Sequence, residues 1–548
     1  MLRLLFISLL FAQGLLAADG DQVMAVTAHP LATEAAVEVL RDGGNAMDAA
    51  ITASFVLAVV EPYSSGIGGG GFFICYDADK QAARALDARE TAPSKASRDM
   101  YLADGEIVPR MSIDGPFSVA VPGLVRGLTE LHTSCGTLPW KRLIEPAISI
   151  AKNGFPVDEM LRARIEYNRE RLSLEAKSIL MPDGVIPTVL IQEDLSRTLQ
   201  IIAQDSHGFY SGSIAAAIAS SVKNAGGLLS AEDMSNYKAK WRETANGDYH
   251  QYEVWSMPPP SSGGVHIVQM LNILEPYDLE TLGHNSVGAV HLMAEAMKFA
   301  YADRSRWLGD SDYFDVPITK LTSKDYAKKQ RSLISLNKIF PINEAGGIES
   351  KDNEGNDTTH FSIVDAHGNA VAATLTINLS FGSGMIADGT GIILNNEMDD
   401  FSSAPGIPNA FGLVGSEANS IASGKRPLSS MTPTIITENG QVRLVTGSPG
   451  GSRIITTTLQ TVLNILDHKM APQVAVDAGR IHYQWSPDIL WYEPESLTAE
   501  TVLELTTVGH NVQTRLSMGN DQLILIDPET GIRTGASDKR GVGKAAGY

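Results

Sequence analysis

The chain has 548 residues, 43% of them apolar and 19% charged, a globular composition with length enough for a large core. Acidic residues outnumber basic ones 63 to 43, the net charge is −20, and no stretch concentrates lysine and arginine, which excludes nucleic acid as an expected partner. Cys75 and Cys135 are the only cysteines; they leave a single bridge open, provide no disulfide framework, and make no Cys/His pattern with the spacing of a zinc site.

In chain order, the first element is MLRLLFISLLFAQGLLAADGDQ, with Arg3, an apolar run from Leu4 to Leu16, and small residues at Ala17 and Ala18. This is the pattern of a cleaved export signal, residues 1–17, and predicts a mature chain that is periplasmic or secreted. The run is shorter than the roughly 20 residues a spanning helix needs. HPLATEAAVEVLRDGG and NAMDAAITASFVLAVVEP then predict two helices. The second is capped by Asn45 and apolar around its circumference, so it is expected to be buried. GIGGGG satisfies the G-x-G-x-x-G spacing through Gly66, Gly68 and Gly71, but a helix precedes it and the strand FFICYD follows, the reverse of a dinucleotide site. These glycines read instead as a place of close backbone approach. SIAAAIASSVKNAGG, residues 264–275 and GAVHLMAEAMKFAYADRSRWLG predict further helices. Strands are expected at 358–365, 370–378, 391–395, 432–437 and 442–447. A helix-rich first part and a strand-rich later part predict a layered α/β sandwich.

Between them, residues 343–357 (NEAGGIESKDNEGND) read as exposed loop that hands over to a strand through NDTTHFSIVD. A threonine hydroxyl is a weak nucleophile without a base, and the residue's own α-amine can be that base once the chain is cut just before it. That amine, with a pKa of about 7.7–8.0 in free peptides, has a useful unprotonated fraction at neutral pH. Thr358 can make the cut itself: its hydroxyl attacks the Asp357 carbonyl, the acyl group moves from nitrogen to oxygen, and water releases the new N-terminus. His360 is set aside, because the α-amine already serves as base. Polar turns crowd the stretch that follows. Thr376 and Asn378 fall on one face of the 370–378 strand, and NNEMDDF supplies Glu397, Asp399 and Asp400. KRPLSSMTP offers Ser429 and Ser430, and VTGSPGGSR ends a strand in Gly450 and Gly451, whose bare N–H groups suit an oxyanion.

GGNAMDAA, SGIGGGGF, ARETAP, PPPSSGG, AEAMKFAYADR, DTTHFSIVD, NNEMDDF, KRPLSSMTPT and TGSPGGSRI, in that order, resemble the corresponding stretches of the γ-glutamyltranspeptidases, members of the N-terminal-nucleophile hydrolase superfamily. The resemblance implies a four-layer αββα sandwich of the α/β class, formed jointly by a large segment, 18–357, and a small one, 358–548, that remain together as a heterodimer. It implies that Thr358 is the nucleophile at the Asp357–Thr358 processing site, with Thr376 supporting it and Gly450 and Gly451 forming the oxyanion hole. Arg89, Ser429 and Ser430 would hold the substrate's α-carboxylate; Asn378, Glu397 and Asp400 would read its α-ammonium. The implied reaction passes a γ-glutamyl group from glutathione or a related compound to water or to the amine of an amino acid or short peptide, with no metal or organic cofactor. Two positions depart from the commoner pattern: Glu397 stands where relatives vary between Glu and Gln, and Phe411, in the lid 402–415, stands where tyrosine is common. Rival readings are a cephalosporin acylase or poly-γ-glutamate-cleaving enzyme on the same scaffold, or an uncut protein that binds γ-glutamyl peptides. Arg89, Asp400, Ser429 and Ser430 argue against the acylase, whose substrate lacks a complete free amino-acid head.

Overall fold

Residues 17–341, 357–404 and 406–548 are described by a computed structural model. The expected export signal up to Leu16, the expected loop 343–357 apart from Asp357, and position 405 of the expected lid lie outside them.

Two seven-stranded antiparallel sheets face each other. The first runs Lys544–Gly547, Met24–Thr27, Thr358–Val364, Ala370–Thr376, Gly70–Asp77, Ala82–Asp87, Lys240–Arg242; the second runs Ala18–Gly20, Arg533–Ser537, Gln522–Ile526, Gln441–Thr446, Thr434–Glu438, Tyr252–Ser256, Ala245–Tyr249. Apolar side chains from both, including Val26, Phe72, Ile74, Ile435, Val445 and Ile524, fill the space between them. Each sheet's other face is covered by helices, which makes the four-layer αββα sandwich. Each sheet contains strands from before and from after Thr358, so neither half of the chain completes a layer alone.

The helix Ala46–Val60 is buried at every one of its 15 residues, as its unbroken apolar circumference predicts. Asn45 caps it: its side chain accepts from the backbone N–H groups of Met47 and Asp48, while Asp48 accepts from Asn45 N–H. Its outer neighbour is Pro30–Arg41, and its inner face lies on the central strands of the first sheet. Across the molecule, Gly263–Leu274, Val287–Trp307 and Ile454–Leu466 pack over the second sheet through residues such as Ile267, Leu271, Val290, Ile455 and Leu459. No helix among the described residues is long and apolar enough to cross a membrane.

The structure corrects three expectations. The strand expected at 370–378 ends at Thr376, because Asn378 turns into the left-handed region at φ +74°, which asparagine tolerates better than most residues. The strand expected at 391–395 shrinks to Ile392–Ile393, paired only with Ile386–Ala387. The division into a helical first part and a stranded later part does not hold: Gly70–Asp77, Ala82–Asp87 and Tyr252–Ser256 supply strands early, and Ile454–Leu466 a long helix late. Cys75 and Cys135 are both free thiols.

Candidate active site

The position of Thr358, the expected nucleophile, follows from strand register. Thr358–Val364 and Ala370–Thr376 are joined by a turn in which Asp365 Oδ1 accepts from the backbone of His367 and Asn369, and Asp365 Oδ2 accepts from Ala46 N–H at the start of the buried helix. That register sets Thr358 directly opposite Thr376, with their Oγ atoms 3.4 Å apart. Thr376 Oγ already accepts from Asn378 N–H at 2.8 Å, so its own proton is available to donate toward Thr358. On the far side of Thr376 runs the glycine-rich strand, Thr376 opposite Gly70. A Cβ at Gly69 would sit 2.1 Å from the Thr376 carbonyl oxygen, which is the close backbone approach expected of this run.

Thr358, Thr376, Asn378, Arg89, Glu397, Asp400, Phe411, Ser429, Ser430 and Gly451 line one cavity together with Met431 and Ile454. Its volume is about 20 Å³, on the order of one water, so seating an amino-acid head requires side chains to part. Arg89 follows the strand Ala82–Asp87 and is 1% exposed. One end of its guanidinium pairs with Glu397 and the other with Asp400 Oδ2 at 2.5 Å, while Nε donates to the Pro427 carbonyl at 3.2 Å. Burial opposes its charge, but Glu397, Asp400 and Glu90 outweigh that and raise its pKa. Arg89, expected at an α-carboxylate, is thus ion-paired with Glu397 and Asp400, expected at an α-ammonium.

Ser429 and Ser430 are held from behind by the PPPSSGG stretch: the Ser429 carbonyl accepts from both the N–H and the Oγ–H of Ser262, each at 2.9 Å. Gly450 and Gly451 have φ values of +134° and +57°, and the short helical turn Gly451–Arg453 runs into Ile454–Leu466. The cavity wall at Gly451 and Ile454 is therefore the amide-rich start of a helix, suited to developing negative charge. Phe411 lies on the bare α-carbon of Gly451, where a Cβ would meet its ring at 2.5 Å. Gly450 sits one residue behind this wall. Asp357 Oδ1 accepts from Ser380 Oγ at 2.5 Å and faces Arg164 at 3.3 Å.

Some polar residues of the sequence reading stand apart. Asp399 accepts from Ser112 Oγ and Ala410 N–H and does not line the cavity; burial lifts its carboxyl to about 6. His360 is fully buried between Thr374 Oγ and Ser362 Oγ, and burial lowers its pKa to about 3, so it stays neutral at working pH. Sequence reasoning gave no role to Arg304, whose guanidinium donates to Ser262 Oγ at 3.1 Å and to Ser430 Oγ at 3.3 Å. Burial pulls it down to about 10, with Asp400 opposing. In the sequence it stands in the last turn of the predicted helix beside Asp303, Ser305 and Arg306, a pattern that reads as a solvated helix end. Among the described residues, His291, Glu295 and His510 form one group of metal-ligand composition. They bond one another and the protein: His291 meets His510 and the Ser335 carbonyl at 2.8 Å each, and Glu295 pairs with Lys298 at 2.6 Å.

Residues 32–548 match the gamma-glutamyltranspeptidase family. The chain belongs to that family. It is 44% identical over 536 residues to the glutathione hydrolase proenzyme of Escherichia coli (strain K12), covering 96% of this chain and 92% of the relative. Among solved structures, the cephalosporin acylase from Bacillus halodurans superimposes with a TM-score of 0.86 at 28% identity, over 100% of this chain and 99% of that one. A chain of the Helicobacter pylori gamma-glutamyltranspeptidase gives a TM-score of 0.56 at 40% identity, over 57% of this chain and 92% of that one. The family and the acylase fold agree with the sandwich described above.

Proposed function

We propose that this chain is a proenzyme that cuts itself between Asp357 and Thr358 and then acts as a γ-glutamyltransferase and glutathione hydrolase. The observation that carries this reading is one cavity in which Thr358, backed by Thr376, shares walls with a guanidinium, two carboxylates and two serines. Cutting joins the released α-amine to Thr358 as its base. The amine takes the proton from Oγ as Oγ attacks the substrate's γ-carbonyl, and the oxyanion develops toward the Gly450–Gly451 amides. The leaving amine receives the proton, a γ-glutamyl ester remains on Thr358, and water or an acceptor amine resolves it. Arg89 with Ser429 and Ser430 binds the α-carboxylate; Asn378, Glu397 and Asp400 bind the α-ammonium. The retention of this whole set favours a substrate with a free amino-acid head over the acylase alternative. A signal over residues 1–17 would export the precursor, which then divides into segments 18–357 and 358–548.

Denaturing electrophoresis and N-terminal sequencing test the first step. Wild type is expected as two bands, the smaller beginning Thr-Thr-His-Phe, and Thr358→Ala as one inactive band. A start at Thr359 would overturn the nucleophile. Hydrolysis of a chromogenic γ-glutamyl anilide, with and without a dipeptide acceptor, tests the second; a protein that is cut but inert toward the anilide would overturn the substrate.

A further inference from the structure

Glu90 follows the anchoring arginine and has no part in the roles above. Its side chain is fully buried, and neither carboxyl oxygen has a hydrogen-bond partner among the described residues. The nearest cation is Arg89, whose Nη1 lies 4.0 Å from Glu90 Oε2. Glu397 is equally buried and gives Oε1 to Arg89, but its Oε2 is likewise without a donor. The two carboxyls stand side by side on one nitrogen, Glu397 Oε1 paired with Arg89 Nη1 and Glu90 Oε2 4.0 Å from the same atom. Behind Glu90 the space is closed by Gly70, where a Cβ would come within 2.6 Å of Oε2. Buried carboxyl oxygens without donors are costly, and two adjacent carboxylates cannot both ionise cheaply. A single proton removes both costs, converting the pair into a short O–H···O⁻ bond.

We propose that Glu90 is a positioning residue that shares one proton with Glu397, so that the two form a carboxyl–carboxylate dyad of single negative charge behind the substrate's amino-acid head. Burial raises both groups above the ordinary carboxyl range, Arg89 opposing and Asp400 adding to the shift. The groups that face the dyad are Arg89 and Asp400, with Arg304 beyond Asp400 and the neutral phenols Tyr210 and Tyr237 behind Glu90. Two guanidiniums then balance the dyad and Asp400, and the pocket is a neutral host for a zwitterion. Loss of the shared proton leaves one excess negative charge against Arg89, which competes with the incoming α-carboxylate for that guanidinium. Affinity for the amino-acid head therefore falls as pH rises through the dyad's titration. The role of the head rests on the function proposed above; the proton itself does not.

Infrared difference spectra of the processed enzyme at neutral pH, wild type minus Glu90→Gln, read the proton directly. A carbonyl band of a buried protonated carboxyl is expected in wild type and absent from both Glu90→Gln and Glu397→Gln, because an amide donor leaves the surviving carboxylate ionised. A band undiminished in either variant overturns the dyad. The companion measurement is the inhibition constant of L-glutamate against pH. In wild type it should rise by up to tenfold per pH unit above the dyad's titration, a limit of one linked proton; in Glu90→Gln that limb should vanish, while titration of the Thr358 α-amine stays common to both. Equal profiles overturn the proposed effect on the head. Failure of the γ-glutamyl reading would show as an enzyme inert toward the anilide while the infrared band remained.

Discussion

At the scale of single residues, the site depends on shapes that near-isosteric replacements do not reproduce. Arg89 bridges Glu397 and Asp400 with the two ends of one planar group, which an ammonium cannot do. Arg89→Lys is expected to leave self-cleavage intact and raise donor KM roughly ten- to a hundredfold, the equivalent of about 1.5–3 kcal/mol for a charged hydrogen bond. An unchanged KM in processed enzyme would remove Arg89 from the anchor. Gly451 is constrained twice, by φ +57° and by the Phe411 ring on its α-carbon. Gly451→Ala should therefore displace the amides behind the reacting carbonyl and lower kcat on the order of a hundredfold in steady-state assays of correctly cut protein. His360 serves stability rather than chemistry. Its folded pKa of about 3 lies below the 6.5 of an exposed imidazole, so between those values the unfolded chain binds one more proton and stability drops as pH falls. His360→Gln is expected to flatten that drop by up to about 1.4 kcal/mol per pH unit, read from urea midpoints in an uncut Thr358→Ala background.

At the scale of elements, Thr358 is placed by a strand pair that is itself pinned to a helix. Asp365 closes the turn between the strands and accepts from Ala46 N–H, so the start of the buried helix and the register that opposes Thr358 to Thr376 are tied through one carboxylate. The Asn45 cap holds that helix end from the other side, accepting from Met47 and Asp48 and donating to the Cys135 carbonyl at 2.7 Å. Asn45→Ala should lower the stability of the uncut Thr358→Ala precursor by about 0.5–2 kcal/mol, measured by denaturant unfolding. A loss well under 0.5 kcal/mol would mean that tertiary packing holds this helix end without its cap.

At the scale of the whole molecule, the proposed cut would fall inside a single fold. Thr358–Val364 from the small segment lies between Met24–Thr27 from the large one and its own partner strand Ala370–Thr376, and Thr434–Glu438 pairs with Tyr252–Ser256 from the other segment. Separating the segments would open both sheets and the apolar layer between them. The processed segments are therefore expected to co-elute in size-exclusion chromatography without denaturant and to part only on denaturing gels. Elution as two independent species would contradict the interleaved sheets.

Several features were legible in residue order alone, because they depend on local chemistry: the capped, wholly apolar helix at Ala46–Val60, the strand–turn–strand around AHGN, and the crowded glycines before FFICYD. Thr358 itself was legible as the start of a strand after a polar loop, and the quoted motifs carried the family. Other features needed the folded chain. Strand periodicity placed Asn378 on the strand, yet a left-handed turn takes it off, since the amide bond to Thr376 Oγ outweighs the continuing β pattern. Gly70–Asp77 and Tyr252–Ser256 each gain a partner strand from the far half of the sequence, a pairing that no local pattern encodes. Arg304 and Glu90 acquire meaning only where helix and sheet bring them to Ser430 and Glu397, 126 residues away for Arg304. Charge in a sequence is only a residue type; burial and the distance to the next charge, which decide protonation and ligand binding, are properties of the tertiary structure.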